Sequence, residues 1–257
     1  MVSSNPSKRK TANISAQQWE DFAASRRTVR DFLPTPVPQE IIDAILKDAM
    51  TAPSWSNTRP YLVAVASGEK RNRISEALLK RVDLLNGAKR GGIIAKIKFL
   101  LSGYVFPMSE YPVVKPYPKD LNPRRIRVGK GLYENMGIKR GDAAGRDAQM
   151  RRNFEFFGAP TAIFIFTHKG LGEYSVSDAG LFMQNLMLSA HARGLGTCAQ
   201  GMLAIWPRPV RREFKAALSK HSRQYRLLVG ISLGYPSNAA VNDFEAERLP
   251  ISDITLD

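Results

Sequence analysis

Apolar residues at 41, 42, 45, 46 and 49 repeat at the spacing of one helix face. Pro38 suits a first turn and Pro53 closes the stretch, so a helix is predicted over 38–50. Upstream, Ser15 is a candidate N-cap for a helix that carries Trp19, Phe22 and Ala23 on one face and ends in the basic run Ser25-Arg26-Arg27. Residues 61–66, Tyr-Leu-Val-Ala-Val-Ala, form a short apolar run of buried-strand type, followed by a charged helix over about 69–85. Between 86 and 145 the pattern loosens, and Gly91-Gly92 with prolines at 107, 112, 116, 118 and 123 are expected to interrupt any regular element. So long a stretch reads as a functional excursion, a cap or lid beside a site. Order returns with a helix over 150–157 and a strand over 161–167. Next comes a long helix over 177–193 whose apolar residues cover most of its circumference, which predicts that it is buried. A glycine-bearing turn follows from Gly194 to Gly201, then a helix opened by Pro207 or Pro209, a strand over 226–233 and an irregular tail over 234–257. Helices and strands mix without strict alternation or internal repeats. An α+β layer arrangement is therefore predicted in preference to a doubly wound sheet.

Composition narrows this picture. A chain of 257 residues with 44% hydrophobic content is expected to form a single domain over 1–257, with the polar, basic residues 1–13 as a mobile tail. No stretch approaches a membrane span; the nearest, 99–106, is short and preceded by Lys96 and Lys98. Cys198 is the one cysteine, so no internal disulfide is possible, and a reducing cytoplasmic setting is expected. The net charge of +15 is concentrated: residues 68–152 carry 20 Lys and Arg against 8 Asp and Glu. Such a face suits nucleic acid or an anionic surface, or else it flanks an anionic cofactor and substrate. The second reading is preferred because the stretch holds no recognisable nucleic-acid module.

Four segments carry candidate chemistry. Arg26, Arg27, Thr28 and Arg30 place three guanidiniums and a hydroxyl just past a helix, donors suited to phosphate, although a helix end also favours cations. The loop 52–60, Ala-Pro-Ser-Trp-Ser-Asn-Thr-Arg-Pro, can hydrogen-bond polyols and heterocycle edges, yet its residues are also ordinary turn formers. Residues 194–199, Gly-Leu-Gly-Thr-Cys-Ala, fit the relaxed dinucleotide pattern but follow a helix instead of a strand, so a Rossmann site is rejected. A turn whose backbone N–H groups can approach a planar ligand remains. Arg248 sits in a locally acidic tail. His168, His191 and His221 have no ligand spacing, and no metal site is expected.

In this order the segments resemble the FMN-binding nitroreductase family: an early R-R-S/T-x-R at 26–30, a P-S-x-x-N-x-x-P loop at 53–60, a glycine turn after the central helix, Gly-Tyr-Pro at 234–236 and a late R-L-P at 248–250. The stretch 131–160 is similar to the branch that reduces nitrobenzoates and dinitroanilines. The resemblance implies a central mixed, mainly antiparallel sheet flanked by helices. It also implies an intertwined homodimer with FMN at the subunit interface, and a C-terminal arm, 234–257, crossing to the partner. It further implies ping-pong hydride transfer from NAD(P)H to a nitroaromatic acceptor, with quinones, enones or halogenated phenols as alternatives; a basic surface-binding protein is the alternative of another class. By position, Arg26, Thr28 and Arg248 match phosphate ligands, with Arg27 in the same clasp, and Arg30 matches the cation near the flavin pyrimidine edge. Pro53, Ser54, Trp55 and Asn57 match the loop supplied by the other subunit, and the backbone of Gln200, Gly201 and Met202 matches the donor facing flavin N5. Asn153 matches an asparagine near the ribityl chain and ring. Trp55 and Arg59 depart from the small residue and the glutamine common in relatives, and Ala246 replaces a basic residue, so phosphate binding leans on Arg26 and Arg248.

Overall fold

The computed structural model describes residues 13–102, 109–113, 116–221 and 223–256. The expected N-terminal tail therefore lies, apart from Asn13, outside the described residues. The centre is a four-stranded sheet in the order β1-β2-β4-β3, with β1 Tyr61–Ser67, β2 Thr161–His168, β3 Gly196–Gln200 and β4 Tyr225–Gly234, every neighbouring pair antiparallel. β2 is buried from Thr161 to Thr167, and successive side chains point to opposite faces. Ala162, Phe164 and Phe166 join one core with Ile74, Leu78, Leu203 and Trp206; Ile163 and Ile165 join another with Ile42, Ile45, Phe182 and Leu186. Each buried Phe or Ile of this strand stabilises the fold by about 1.5–3 kcal/mol.

Helices cover both faces. α1 Ala16–Ser25 opens with a capping box in which Ser15 and Gln18 exchange hydrogen bonds, yet it buries no residue, and Trp19 stays 49% exposed. α2 Gln39–Ala49 buries Ile42, Ile45 and Ala49 beside α7 Glu173–His191, and α3 Gly68–Arg90 buries Ile74, Leu78 and Val82 on the opposite core. α3 runs five residues past its expected end.

Four expectations need correction. The 86–145 segment is not devoid of regular elements, because it contains α4 Ile93–Leu101 and α5 Asn122–Asn135. Pro123 lies in the first turn of α5, where its missing N–H costs nothing, so it starts the helix that it was expected to interrupt. α6 Ala143–Phe154 stops short of 157 because Phe156 and Phe157 both take φ of 55°, and burial of their rings holds them in that left-handed turn. The glycine-bearing turn after Gly194 becomes strand β3 at 196–200, since pairing with β4 supplies the order that five small, polar residues do not signal locally. α7 is buried on one side only: Tyr174 and Leu181 are 51% and 44% exposed. Beyond β3, α8 Pro207–Glu213 begins at Pro207, followed by the short α9 Lys215–Leu218. The tail after β4 has two 3-10 turns and is otherwise irregular.

Candidate functional site

The chain leaves α1 at Arg26 in an extended conformation and becomes a fifth, partial strand: Thr28 pairs in parallel with Thr197, and the Val29 N–H donates to the Thr197 carbonyl at 3.0 Å. Val29 turns into the core, and the alternation leaves Thr28 and Arg30 on the other side. Gly196 makes the approach possible, because a Cβ there would overlap the Val29 side chain. The tail then folds back over this arm. Asn242 accepts from the Arg30 N–H at 2.7 Å and donates to the Asp31 carbonyl at 2.8 Å, and Glu245 pairs with Arg27 at 2.9 Å.

These contacts build a small cleft of about 70 Å³ lined by Arg26, Arg27, Thr28, Arg30, Phe244 and Arg248. Arg27 has its carboxylate; among the described residues, Arg26, Arg30 and Arg248 have none within ion-pair distance. Burial and repulsion from Arg248 push the Arg26 pKa down, and burial and Arg26 do the same to His191, whose Nε2 lies 2.7 Å from the Ser25 hydroxyl. A group of cations with so little compensating charge is stabilised by an anion, and forked guanidiniums with a neighbouring hydroxyl match a phosphate monoester. The donor set therefore fits the phosphate end of FMN.

Beside the cleft, β3 forms an edge. The side chain of Gln200 donates to the Asn153 carbonyl at 2.9 Å and accepts from Ser232, so it is committed inside the protein. Ala199 and Gly201 are exposed there. Asn153 directs its amide back to the carbonyls of Gln149 and Met150, at 3.4 and 3.2 Å. Cys198 is buried, and burial pushes its pKa up to about 11, which keeps it a thiol rather than a reactive thiolate.

The loop of Pro53, Ser54, Trp55 and Asn57 is elsewhere. Asp178 accepts from the Trp55 N–H at 3.0 Å, and the Trp55 ring lies 4.2 Å from that of Tyr174, both at the start of α7. Ser25 and His191 meet at the other end of that helix, roughly 25 Å away at 1.5 Å per residue. The chain thus gathers Arg26, Arg27, Thr28, Arg30 and Arg248, with the 153 and 200–202 corner nearby, and leaves the 53–57 loop at a distance. Ser56, Asn57 and Arg59 all take positive φ, 47°, 58° and 45°, a concentration of strain of the kind that recurs at functional sites. Arg59 extends beneath this loop, with its Nη1 3.4 Å from the Asn57 carbonyl.

Sequence reasoning missed Asn242 and Asp178. Asn242 had no local signal, since its role depends on the tail folding back over Arg30. Asp178 did have one: a carboxylate inside an apolar helix requires a partner when buried, and Asp178 is 5% exposed.

The chain is similar to known proteins over nearly its whole length. Chloronitrobenzene nitroreductase of Comamonas testosteroni is 33% identical over 237 residues, 92% of this chain and 95% of the relative. The 4-nitrobenzoate reductase of Pseudomonas putida is 33% identical over 231 residues, 90% of this chain and 91% of the relative. Among solved structures, the FMN-dependent nitroreductase NfnB from Mycobacterium smegmatis, determined in complex with NADPH, has a TM-score of 0.76 at 30% identity, covering 94% of this chain and 98% of its own. The Nitroreductase family matches residues 23–235, and the chain belongs to that family.

Proposed function

We propose that this protein is an FMN-dependent oxidoreductase that uses NAD(P)H to reduce nitroaromatic compounds. The observation that carries the reading is the arginine cleft, a phosphate-sized anion site on the arm-and-strand junction of a chain whose relatives act on chloronitrobenzene and 4-nitrobenzoate. FMN bound there supplies the two-electron relay between donor and acceptor. Arg26, Arg248 and the Thr28 hydroxyl grip the phosphate, while the Arg27–Glu245 pair holds the tail over it. Arg30, anchored through its backbone by Asn242, contributes a fixed cation that favours the added negative charge of the reduced cofactor. The backbone at Gln200, Gly201 and Met202 offers N–H donors at the exposed corner of β3, and Asn153 braces that corner through Gln200.

The protein works as a homodimer in which Pro53, Ser54, Trp55 and Asn57 of one copy complete the cleft of the other. Their distance from the arginines in a single chain, together with the exposed faces of α1 and α7, supports this. Of the 234–257 arm expected to cross, residues 242–248 stay on their own chain through Asn242 and Glu245, and the part that crosses to the partner is the end beyond Arg248, where Ile251 and Ile254, 74% and 70% exposed, gain cover. The 86–145 excursion caps the cleft, and contacts of α5 with the tail support that role: Arg127 pairs with Glu247 at 2.8 Å. Among the described residues no helix is long and apolar enough to cross a membrane; a cytoplasmic site of action is proposed with the NAD(P)H supply.

The visible spectrum of the purified protein tests the reading. The expected result is a yellow protein whose bands belong to FMN, are bleached anaerobically by NAD(P)H and return on adding a nitroaromatic acceptor. A colourless protein that takes up no FMN overturns it.

A further inference from the structure

α4 carries its apolar face outward. Ile93, Ile94, Ile97, Leu100 and Leu101 are 47% to 82% exposed, while the helix packs on α3, where Ala95 lines a groove with Leu79, Asp83 and Gly87. At about 100° per residue the five exposed side chains form one stripe about 120° wide, with Lys96 about 40° beyond one edge and Lys98 about 40° beyond the other. A contiguous apolar stripe between polar edges marks an interaction surface, unlike singly scattered surface leucines. Residues 84–109 hold four cations, Lys89, Arg90, Lys96 and Lys98, and no Asp or Glu. Arg90 is paired with Asp147; among the described residues, Lys89, Lys96 and Lys98 have no carboxylate within ion-pair distance. At about 13 Å the helix is too short to cross a bilayer, but an amphipathic helix of any length can lie in its surface.

We infer that α4 docks the protein peripherally on anionic lipid surfaces, with the Ile and Leu stripe among the acyl chains and Lys96 and Lys98 at the phosphate headgroups. Side chains that stand so far out form a ridge, which a fluid acyl phase closes around, and the aliphatic stems of the flanking lysines let their ammonium groups reach the headgroup level. The charge of the segment is one-sided: four cations without a carboxylate, in a chain of net charge +15, are drawn to a negative surface. A second copy of the chain brings the same lysines and the same net charge to the stripe, and like charges oppose that contact. The proposed twofold contact along α7 lies on the other face of the sheet, because α7 packs on the core of Ile163 and Ile165, whereas α3, which carries α4, packs on the core of Phe164 and Phe166.

Flotation of the full chain with vesicles of phosphatidylcholine, alone or with about one quarter phosphatidylglycerol, tests the docking surface without turnover. The protein is expected to float with the anionic vesicles and to bind the neutral ones far less. Lys96→Gln/Lys98→Gln is expected to weaken partitioning to the anionic vesicles by roughly tenfold or more. Ile94→Ser/Leu101→Ser leaves the charge unaltered and is expected to weaken it by a similar factor, with a melting temperature no lower than that of the unaltered chain, since both side chains are exposed. Ile97→Trp adds a reporter to the stripe: its emission, taken as the difference from the unaltered chain, is expected to move to shorter wavelength on anionic vesicles. Failure to float with anionic vesicles overturns the inference. So does flotation that Ile94→Ser/Leu101→Ser leaves unchanged, or an unshifted Ile97→Trp emission, because diffuse attraction of a basic chain needs no apolar stripe. A serine variant that sediments as a smaller species than the unaltered chain, with no vesicle binding by either, overturns it in favour of a contact between copies.

Discussion

Arg26 and Arg248 both line the cleft and neither has a carboxylate within ion-pair distance among the described residues; burial, joined by the repulsion from Arg248, lowers the Arg26 pKa. The pair is therefore a cost to the empty protein and an asset to the loaded one. Arg248→Ala is expected to leave the melting temperature of the flavin-free protein unchanged or slightly higher, while weakening FMN by roughly tenfold, the worth of one charge-assisted hydrogen bond. Fluorescence titration of the flavin-free protein reads this, and an unchanged Kd removes Arg248 from the site. His191 offers a pH test. Burial and the Arg26 charge hold its pKa below the ordinary 6.5, so the unfolded chain binds the proton more readily. Its contribution to stability is whole above 6.5 and is lost as pH falls from there through the depressed folded value. His191→Gln should flatten the decline in melting temperature below about pH 6.5, and equal slopes for both proteins would show that another group titrates there.

At the scale of elements, the arm of residues 26–30 and β3 depend on each other. β3 is too short and too polar to order itself, and the arm has a single residue bridged to it, so the junction depends on Val29 packing over Gly196. Gly196→Ala places a methyl inside Val29 and displaces Thr28 and Arg30 with it. We expect a loss of about 1–3 kcal/mol of stability from overpacking, together with weaker FMN retention. Denaturant unfolding and flavin content measure the two effects, and a destabilised protein with full flavin affinity would uncouple the arm from the site. This junction was only half legible beforehand. Arg26, Thr28 and Arg30 announce themselves by residue type within a few positions, whereas β3 exists through its register with β4 at Leu233 and Ser232, a pairing between segments thirty or more residues apart.

For the whole molecule, the decisive geometry is the length of α7, which separates the Asn57 loop from the arginines. In the proposed homodimer, a twofold copy running antiparallel along this helix would bring one end of each chain to the other end of its partner. Mixing supplies the test. Arg248→Ala and Asn57→Ala chains, each poor in flavin alone, are expected to regain up to about a quarter of full FMN content after denaturation and refolding together. The reason is that half of the dimers formed at random are mixed, and one of the two sites in each mixed dimer is intact. No recovery on mixing would mean that both residues act within one chain. The exposure of Trp19, Trp55, Tyr174 and Leu181 fits the proposed dimer: apolar residues cover most of the circumference of α7, but its own chain covers one side.

The chain's periodicity by itself placed the helices, expected at 38–50 and 177–193 and found at 39–49 and 173–191, and the strands, expected at 61–66, 161–167 and 226–233 and found within a residue of these bounds, because each carries its signal within a few turns or residue pairs. Residue chemistry likewise marked Arg26, Arg27 and Arg30, whereas Arg248 was picked out only by the family resemblance. The tertiary structure alone decided that β3 is a strand, that Pro123 opens a helix instead of breaking one, and that Phe156 and Phe157 bend left-handed at the end of α6. It also decided that Asn242 secures Arg30 and that the 53–57 loop stands a helix length from the arginines. These outcomes depend on burial and on partners distant along the chain, whose contributions outweigh local preference and are absent from any short window of sequence.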